Sequence, residues 1–292
     1  MNTNLQTGAR NYSLRIGAVA YDPKVVVIWE GFKHYFEKRG VNIDYVLFSN
    51  YDAQVDALFS EQIDVAWNSP LAWIKSQLKS VRRCQALAMR DTDRDLCTRI
   101  LIRKNSDLQT LRDLKGKIVA VGASDSPQAT LIPLSMLAEH GILPETDCQV
   151  IYNEVMPGKH GDHVGGERDA ARALAAGVAD AAAVLDSNYN VFINEGTLDP
   201  GTSRVLATTP PYDHCNFTTL DTLSEGTKNQ FTEVLFEMSF QDSEVRTFME
   251  LEGLTKWLPA RTEGYKQLEK AVERFRFYAQ LDSKSATAAS RS

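Results

Sequence analysis

The residues of this chain that could do chemistry gather in a few short loops. The segment Lys159-His160-Gly161-Asp162-His163-Val164-Gly165-Gly166-Glu167-Arg168-Asp169 mixes three glycines with imidazole, acidic and basic side chains, between a run that reads as a strand and one that reads as a helix. A second cluster is Pro210-Pro211-Tyr212-Asp213-His214-Cys215-Asn216. Smaller sets are Tyr21 and Asp22, Asn68 and Ser69 in the turn after Trp67, and Asp186 at the end of an apolar run. If these loops converge, three chemistries are open. A histidine titrating near neutrality beside a carboxylate can move protons, which makes Glu167, His214 and His163 the catalytic candidates if the protein is an enzyme. Imidazole, thiolate and carboxylate also suit a divalent metal, with His160, His163, His214 and Cys215 as candidate ligands. The third is plain recognition of a ligand bearing a cationic or hydrogen-bond-donating group. Each has a blander counterpart: a solvated loop with Asp169 capping a helix, a proline-rich turn at 210–216, and Asp186 as a helix N-cap. His160 and His163, three apart in a glycine-rich loop, lack the fixed spacing of a helix-borne metal pair. There is no GxxxxGK[ST], GxSxG or HExxH pattern, so the common nucleotide, hydrolase and zincin templates are missing.

Composition narrows the field. The chain has 292 residues, 43% of them hydrophobic and 24% charged, with a formal net charge of −6. That is enough for two ordinary lobes. The charges are interspersed, and without a basic stripe to neutralise phosphates the sequence predicts no nucleic-acid partner. No run approaches the roughly 20 apolar residues of a membrane-spanning helix. Residues 1–10 hold no apolar stretch of the kind a secretory leader needs, so a cytoplasmic location is expected, with a periplasmic one if a leader has been removed. The four cysteines are widely spaced, suggesting neither a zinc knuckle nor a disulfide framework.

The elements that must position these loops follow from periodicity. Short β-branched runs alternate with amphipathic segments, the pattern of a mostly parallel sheet covered by helices. Strands are expected at 14–20, 42–48, 65–67, 98–103, 117–121, 149–152, 179–185 and 203–208. Helices are expected at 25–39, 51–60, 71–79, 129–139 and 169–176, the last stopped by Gly177, with a largely helical tail over 225–280. Two extended crossings around an inner α/β block suggest a discontinuous first lobe (13–100 plus 207–280), a second lobe (101–206), and flexible ends (1–12 and 281–292).

Four segments, in order, carry a resemblance. Asp64-Val65-Ala66-Trp67-Asn68-Ser69-Pro70-Leu71-Ala72-Trp73, Asp113-Leu114-Lys115-Gly116-Lys117-Ile118-Val119-Ala120, Ala173-Leu174-Ala175-Ala176-Gly177-Val178-Ala179-Asp180-Ala181, and Gly253-Leu254-Thr255-Lys256-Trp257-Leu258-Pro259-Ala260 with Tyr265 beyond resemble the periplasmic phosphonate/phosphite-type substrate-binding proteins of ABC transporters. The resemblance implies a type 2 periplasmic-binding fold, two α/β lobes with two hinge strands, and a small molecule held in a cleft. It also implies a transporter permease as partner if the protein is exported. It marks Tyr21, Asp22, Asn68, Ser69, Ser124, Ser126, Gln128, His160, Glu167, Asp186 and His214 as ligand-facing candidates.

The chain departs from that family where the family holds its anion. Where relatives read Ser-Thr-Ser-Gly at a helix start, this chain has Ser126-Pro127-Gln128-Ala129. Pro127 has no N–H to donate, and the family's anion-binding histidine falls at Glu167, whose carboxylate would repel a phosphonate. The expected function is therefore binding of a small polar molecule in a pocket altered from the family's. The alternative is a cytoplasmic lyase, a decarboxylase or dehydratase of a small carboxylated substrate, using the His/Glu/Asp set. No cofactor is required by the sequence, and a divalent metal stays open.

Overall fold

The computed structural model describes residues 13–79, 83–155, 159 and 165–279. The chain folds into two compact units. One takes residues up to Asn68, Lys75–Thr92 and Cys215–Ala260; the other takes Ser69–Ile74, Asp93–His214 and the chain from Arg261 onward.

The first unit is built on a six-stranded sheet. Strands β1 (Leu14–Val19), β2 (Ile43–Phe48) and β3 (Val65–Asn68) are parallel, joined through helices α1 (Lys24–Glu37) and α2 (Tyr51–Phe59). Helix α3 (Pro70–Leu78) follows, then β4 (Cys84–Arg90). The order is completed by β10 (Asn216–Leu220), antiparallel to both β3 and β4, and by β11 (Trp257–Pro259) on the edge beside β4. Helix α1 forms because Val25, Ile28, Trp29, Phe32, Tyr35 and Phe36 recur at helical spacing and are all buried. They meet Phe217, Phe231 and Trp257 in an aromatic core, with Trp29 edge-on to Phe217 at 6.2 Å and Phe36 stacked on Phe231 at 5.4 Å.

The second unit repeats the plan with five strands. Strands β6 (Ile118–Val121), β7 (Gln149–Tyr152) and β8 (Ala181–Leu185) are parallel, β5 (Thr98–Arg103) is antiparallel to β8, and β9 (Ser203–Thr208) pairs antiparallel with β5. Helices α4 (Ile132–Glu139), α5 (Gly165–Ala175) and α6 (Asp186–Asn194) follow the parallel strands, while α7 (Glu225–Phe236) and α8 (Ser243–Glu252) belong to the first unit. Helix α9 (Lys266–Phe275) packs on α4 in the second.

The α5–β8 contact is made from the smallest apolar residues. Ala170, Ala171 and Leu174 on the helix pack with Ala182 and Val184 on the strand, all essentially inaccessible, and small side chains let a helix sit close to a sheet. Closer still is Gly166: a Cβ there would lie 2.7 Å from Asn153 O and 3.1 Å from Ala123 N. Backbone thus meets backbone where α5 starts, beside the turn that follows β6. The helix is stopped by Gly177, whose φ of +74° glycine adopts without the usual penalty.

Three differences from the periodicity reading concern the site. Helix α5 begins at Gly165, not 169, because glycine and glutamate in the first turn are stabilised by tertiary contact that propensity does not see, and this places Glu167 inside the helix. The helix expected from 129 opens instead with a π-helical turn, Pro127–Leu131, capped by Ser126. Helix α6 and strands β4, β10 and β11 carry no periodic signal clear enough to read; β10, Asn-Phe-Thr-Thr-Leu, is buried along its whole length and so does not alternate.

Candidate functional site

In open α/β sheets the loops at the carboxyl ends of parallel strands are where ligands meet the protein. In the second unit those ends deliver a connected polar network. Glu167 sits in the first turn of α5 with 1% of its surface exposed. Its Oε2 accepts two hydrogen bonds, from the Leu185 backbone N–H and from Asn188 Nδ2, both at 2.9 Å. Its Oε1 is enclosed and has no partner among the described residues. Burial pushes the Glu167 pKa up, against the pull of the Asn188, Leu185 and Gln128 donors and of His214.

Gln128 lies in the π-helical turn and links this acid to an imidazole. Its Oε1 stands 3.3 Å from His214 Nε2, and the other ring nitrogen, Nδ1, lies 3.5 Å from Asp93 Oδ1. Both ring nitrogens therefore face oxygens of the protein. The imidazole is also fixed through its own backbone: His214 N–H donates to Asp93 O at 2.8 Å, and Tyr265 Oη donates to His214 O at 2.7 Å. Gln128 is held in turn by Thr98, whose Oγ1 donates to Gln128 O at 2.7 Å and accepts from Tyr212 Oη at 2.6 Å. Burial raises the Tyr212 pKa well above its ordinary value, so this phenol is a donor throughout the physiological range.

The turn after β6 is less open to an anion than its family position implies. Ser126 Oγ accepts from Ala129 N at 3.2 Å, and Ser126 O from Leu131 N at 3.0 Å, so these donors serve the turn itself. The Ser124 N–H points at both carboxylate oxygens of Glu154, each at 3.2 Å. Thr130 Oγ1 is buried and without a partner among the described residues.

The remaining candidates are placed as follows. Asp186 opens α6, takes its N–H to Cys97 O at 2.9 Å, and forms an ion pair with Arg99. Tyr21 and Asp22 follow β1 in the first unit; Asp22 Oδ1 accepts from Lys24 N at 2.8 Å, beginning α1, and Lys24 Nζ lies 5.7 Å from the Tyr21 ring. Asn68 ends β3 fully buried, its Oδ1 accepting from Gln54 Nε2 at 2.8 Å and its Nδ2 without a partner among the described residues. Ser69 Oγ accepts from Ala72 N at 3.2 Å, capping α3. Cys215 is buried in the first unit's core. His160 and His163 lie outside the described residues. Within the second unit the fold thus brings Gln128, Glu167 and His214 together and sets Asp186 to another task. Sequence reading passed over Asp93, Thr98 and Asn188, none of which lies in a motif; their loops alone gave no signal.

Two open sheets of parallel strands, each finished by an antiparallel strand and flanked by helices, define the class: a type 2 periplasmic-binding fold. The chain belongs to the family described as "ABC transporter, phosphonate, periplasmic substrate-binding protein", whose model matches residues 17–265. Among solved structures it is similar to PhnD1 from Prochlorococcus marinus in complex with methylphosphonate, at 18% identity, 91% of this chain and 99% of that chain covered, and a TM-score of 0.65. It is also similar to XAC2383 from Xanthomonas citri bound to ATP (15% identity, 90% and 98% covered, TM-score 0.69) and to the periplasmic aliphatic sulphonate binding protein SsuA from Escherichia coli (21% identity, 91% and 88% covered, TM-score 0.57). The resemblance read from four sequence segments and the expected fold class are both borne out. The family is a periplasmic one, which lends nothing to the cytoplasmic expectation, and no helix among the described residues is long and apolar enough to cross a membrane. Nothing in these comparisons points to a lyase.

Proposed function

We propose that this protein is a solute-binding component of an ABC transporter whose anion pocket has been rebuilt, so that it takes a small polar molecule other than a phosphonate. One observation carries the reading. At the position where the resemblance expects an anion-binding histidine, a fully buried Glu167 stands with one oxygen bound by two protein donors and the other without a partner among the described residues. The surroundings agree: Pro127 offers no N–H, the Ser124 N–H faces Glu154, and the nearby imidazole faces Asp93. Burying an anion against these groups lacks the charge-assisted donors that would offset its desolvation.

Calorimetric titration of the wild-type protein with methylphosphonate and with methanesulfonate tests this, beside a thermal-shift screen of uncharged and cationic metabolites. Neither anion is expected to bind at millimolar concentration, while the screen is expected to return a polar ligand recovered chemically unchanged. The Glu167→His variant is expected to gain methylphosphonate affinity. Micromolar binding of methylphosphonate by the wild-type protein would sink the proposal, as would a screen in which nothing binds.

A further inference from the structure

Granting the rebuilt pocket of the preceding section, we infer that Glu167 meets its ligand as a hydrogen-bond donor through Oε1, and that the ligand is an uncharged molecule presenting an acceptor oxygen, such as a carboxamide or other carbonyl compound. The two carboxyl oxygens are not equivalent. Oε2 already accepts from Leu185 N–H and Asn188 Nδ2, which leaves it no reason to carry a proton. If the acid is neutral, its hydrogen therefore sits on Oε1, the enclosed oxygen that has no partner among the described residues. If the acid were ionised, Oε1 would hold half a negative charge in a water-poor site without a hydrogen-bond partner among the described residues, and the pull of the Gln128 side chain does not overcome the burial. Of the ionisable groups facing the carboxyl, His214 favours the ionised form, and burial outweighs it. His214, from the loop after β9, has the Asp93 carboxylate 3.5 Å from its Nδ1; Tyr212, also from that loop, is a buried neutral phenol hydrogen-bonded to Thr98; Asn188, from α6, bears no charge. Further along α5 and α6, Arg168 pairs with Glu195 at 2.6 Å and Asp186 with Arg99. Among the described residues, the cations near the carboxyl already face carboxylates, His214 facing Asp93 and Arg168 facing Glu195, so nothing is left over for an anion. What Glu167 offers is an unfilled donor, and the chemical complement of an O–H donor is a neutral acceptor oxygen.

The test separates this inference from the reading beneath it. In protein labelled with ¹³C at glutamate carboxyls, the Glu167 resonance is assigned by its loss in Glu167→Gln and followed with pH. It is expected at the position of a neutral carboxyl at pH 7. A Glu167 found ionised at pH 7 overturns the inference, while leaving the solute-binding role to stand or fall by the screen. Acetamide, methylammonium and methylphosphonate are then titrated into the whole protein as probes. Acetamide is expected to shift the Glu167 resonance and the two ions are not; a response to methylammonium alone, or to none of the three, overturns the inference. For a ligand returned by the screen, Glu167→Met is expected to weaken binding about tenfold or more. Glu167→Gln is expected to restore it, because the amide places an N–H where the acid placed an O–H. Loss of binding in Glu167→Gln as severe as in Glu167→Met, with both variants folded, says that the carboxylate was an acceptor and refutes the donor role.

Discussion

Replacing Gly166 by alanine tests how closely α5 is seated on the β6 turn. The new methyl carbon would lie 2.7 Å from Asn153 O, 3.1 Å from Ala123 N and 3.2 Å from Gly122 Cα, all inside the 3.4 Å at which ordinary contact begins. All three are backbone atoms, so no side chain can swing aside; either α5 lifts or the turn does. Overpacking of this kind costs about 1–3 kcal/mol, and the helix-propensity gain of glycine to alanine returns roughly 0.5–1 kcal/mol. The net expectation is a loss of about 1–2 kcal/mol. In a domain of this size that is a fall in Tm of roughly 2–8 °C, read by calorimetry on the full chain. The same lift carries Glu167 away from Leu185 and Asn188, so affinity for any ligand found by the screen should fall with it. Gly177→Ala is the control. It too is a glycine of this unit, at φ +74° with nothing within 4 Å of the added atom, so it should cost about 1 kcal/mol through backbone strain alone and leave binding unchanged. A Gly166→Ala protein as stable as wild type would refute the close seating of α5 and the placement of Glu167 that depends on it.

Other expectations follow from the same structure. Asp213 is buried and receives Arg261 Nε and Nη2, each at 2.6 Å, so Arg261→Ala should cost about 2–3 kcal/mol in chemical denaturation, less than for a fully buried pair because part of Arg261 reaches solvent; adding Asp213→Asn should recover much of the loss, and no recovery would mean the ion pair is not the cause. Because burial raises the Glu167 pKa, the folded protein keeps a proton that the unfolded chain gives up above about pH 4.5. Wild-type stability relative to Glu167→Gln should therefore be greatest below that pH and decline as pH rises through the folded-state value; a flat difference between pH 4 and pH 8 in urea titrations would contradict it. Ser126→Ala removes the side-chain cap of the π-helical turn and should lower stability by about 1 kcal/mol, measured the same way.

Much of this architecture was legible because burial on one face leaves a period behind. Strands β5, β7 and β9 fall where alternation and β-branched residues put them, and α1 where its aromatic stripe does. What escaped has a physical reason in each case. Strand β10 is buried on both faces and β11 has only three residues, so neither can show a period. The start of α5 was hidden because Gly165 and Gly166 oppose helix formation locally; at Gly166 the lack of a side chain lets the helix approach the β6 turn. For the site, residue types were readable and partners were not. Glu167 and His214 stood out as an acid and an imidazole in loops, yet nothing in their spacing told that Gln128 would stand between them or that Asp93 would face the ring. Those pairings join residues 35 or more positions apart, and only the sheet order brings them together.

The proposed rebuilding of the anion pocket involves a set of changes, not Glu167 alone. A single glutamate dropped into an intact anion site would be expected to fold onto the donors left there and act as a tethered ligand. Glu167 does so only in part: its close partners are Leu185 N–H and Asn188, and of the turn only the Gln128 side chain acts on it, while Ser126 Oγ caps its own turn and the Ser124 N–H faces Glu154. Pro127 removes another donor outright. On the proposed reading, the donors a phosphonate would need are thus lacking among the described residues at three places, and restoring one should restore only part of the affinity. Glu167→His should therefore bind methylphosphonate measurably but weakly, and combining it with Glu154→Gln, which frees the Ser124 N–H, should strengthen that binding further. If Glu167→His alone gave full micromolar affinity, the turn would have been an intact anion site all along, and the case for a rebuilt pocket would rest on one side chain.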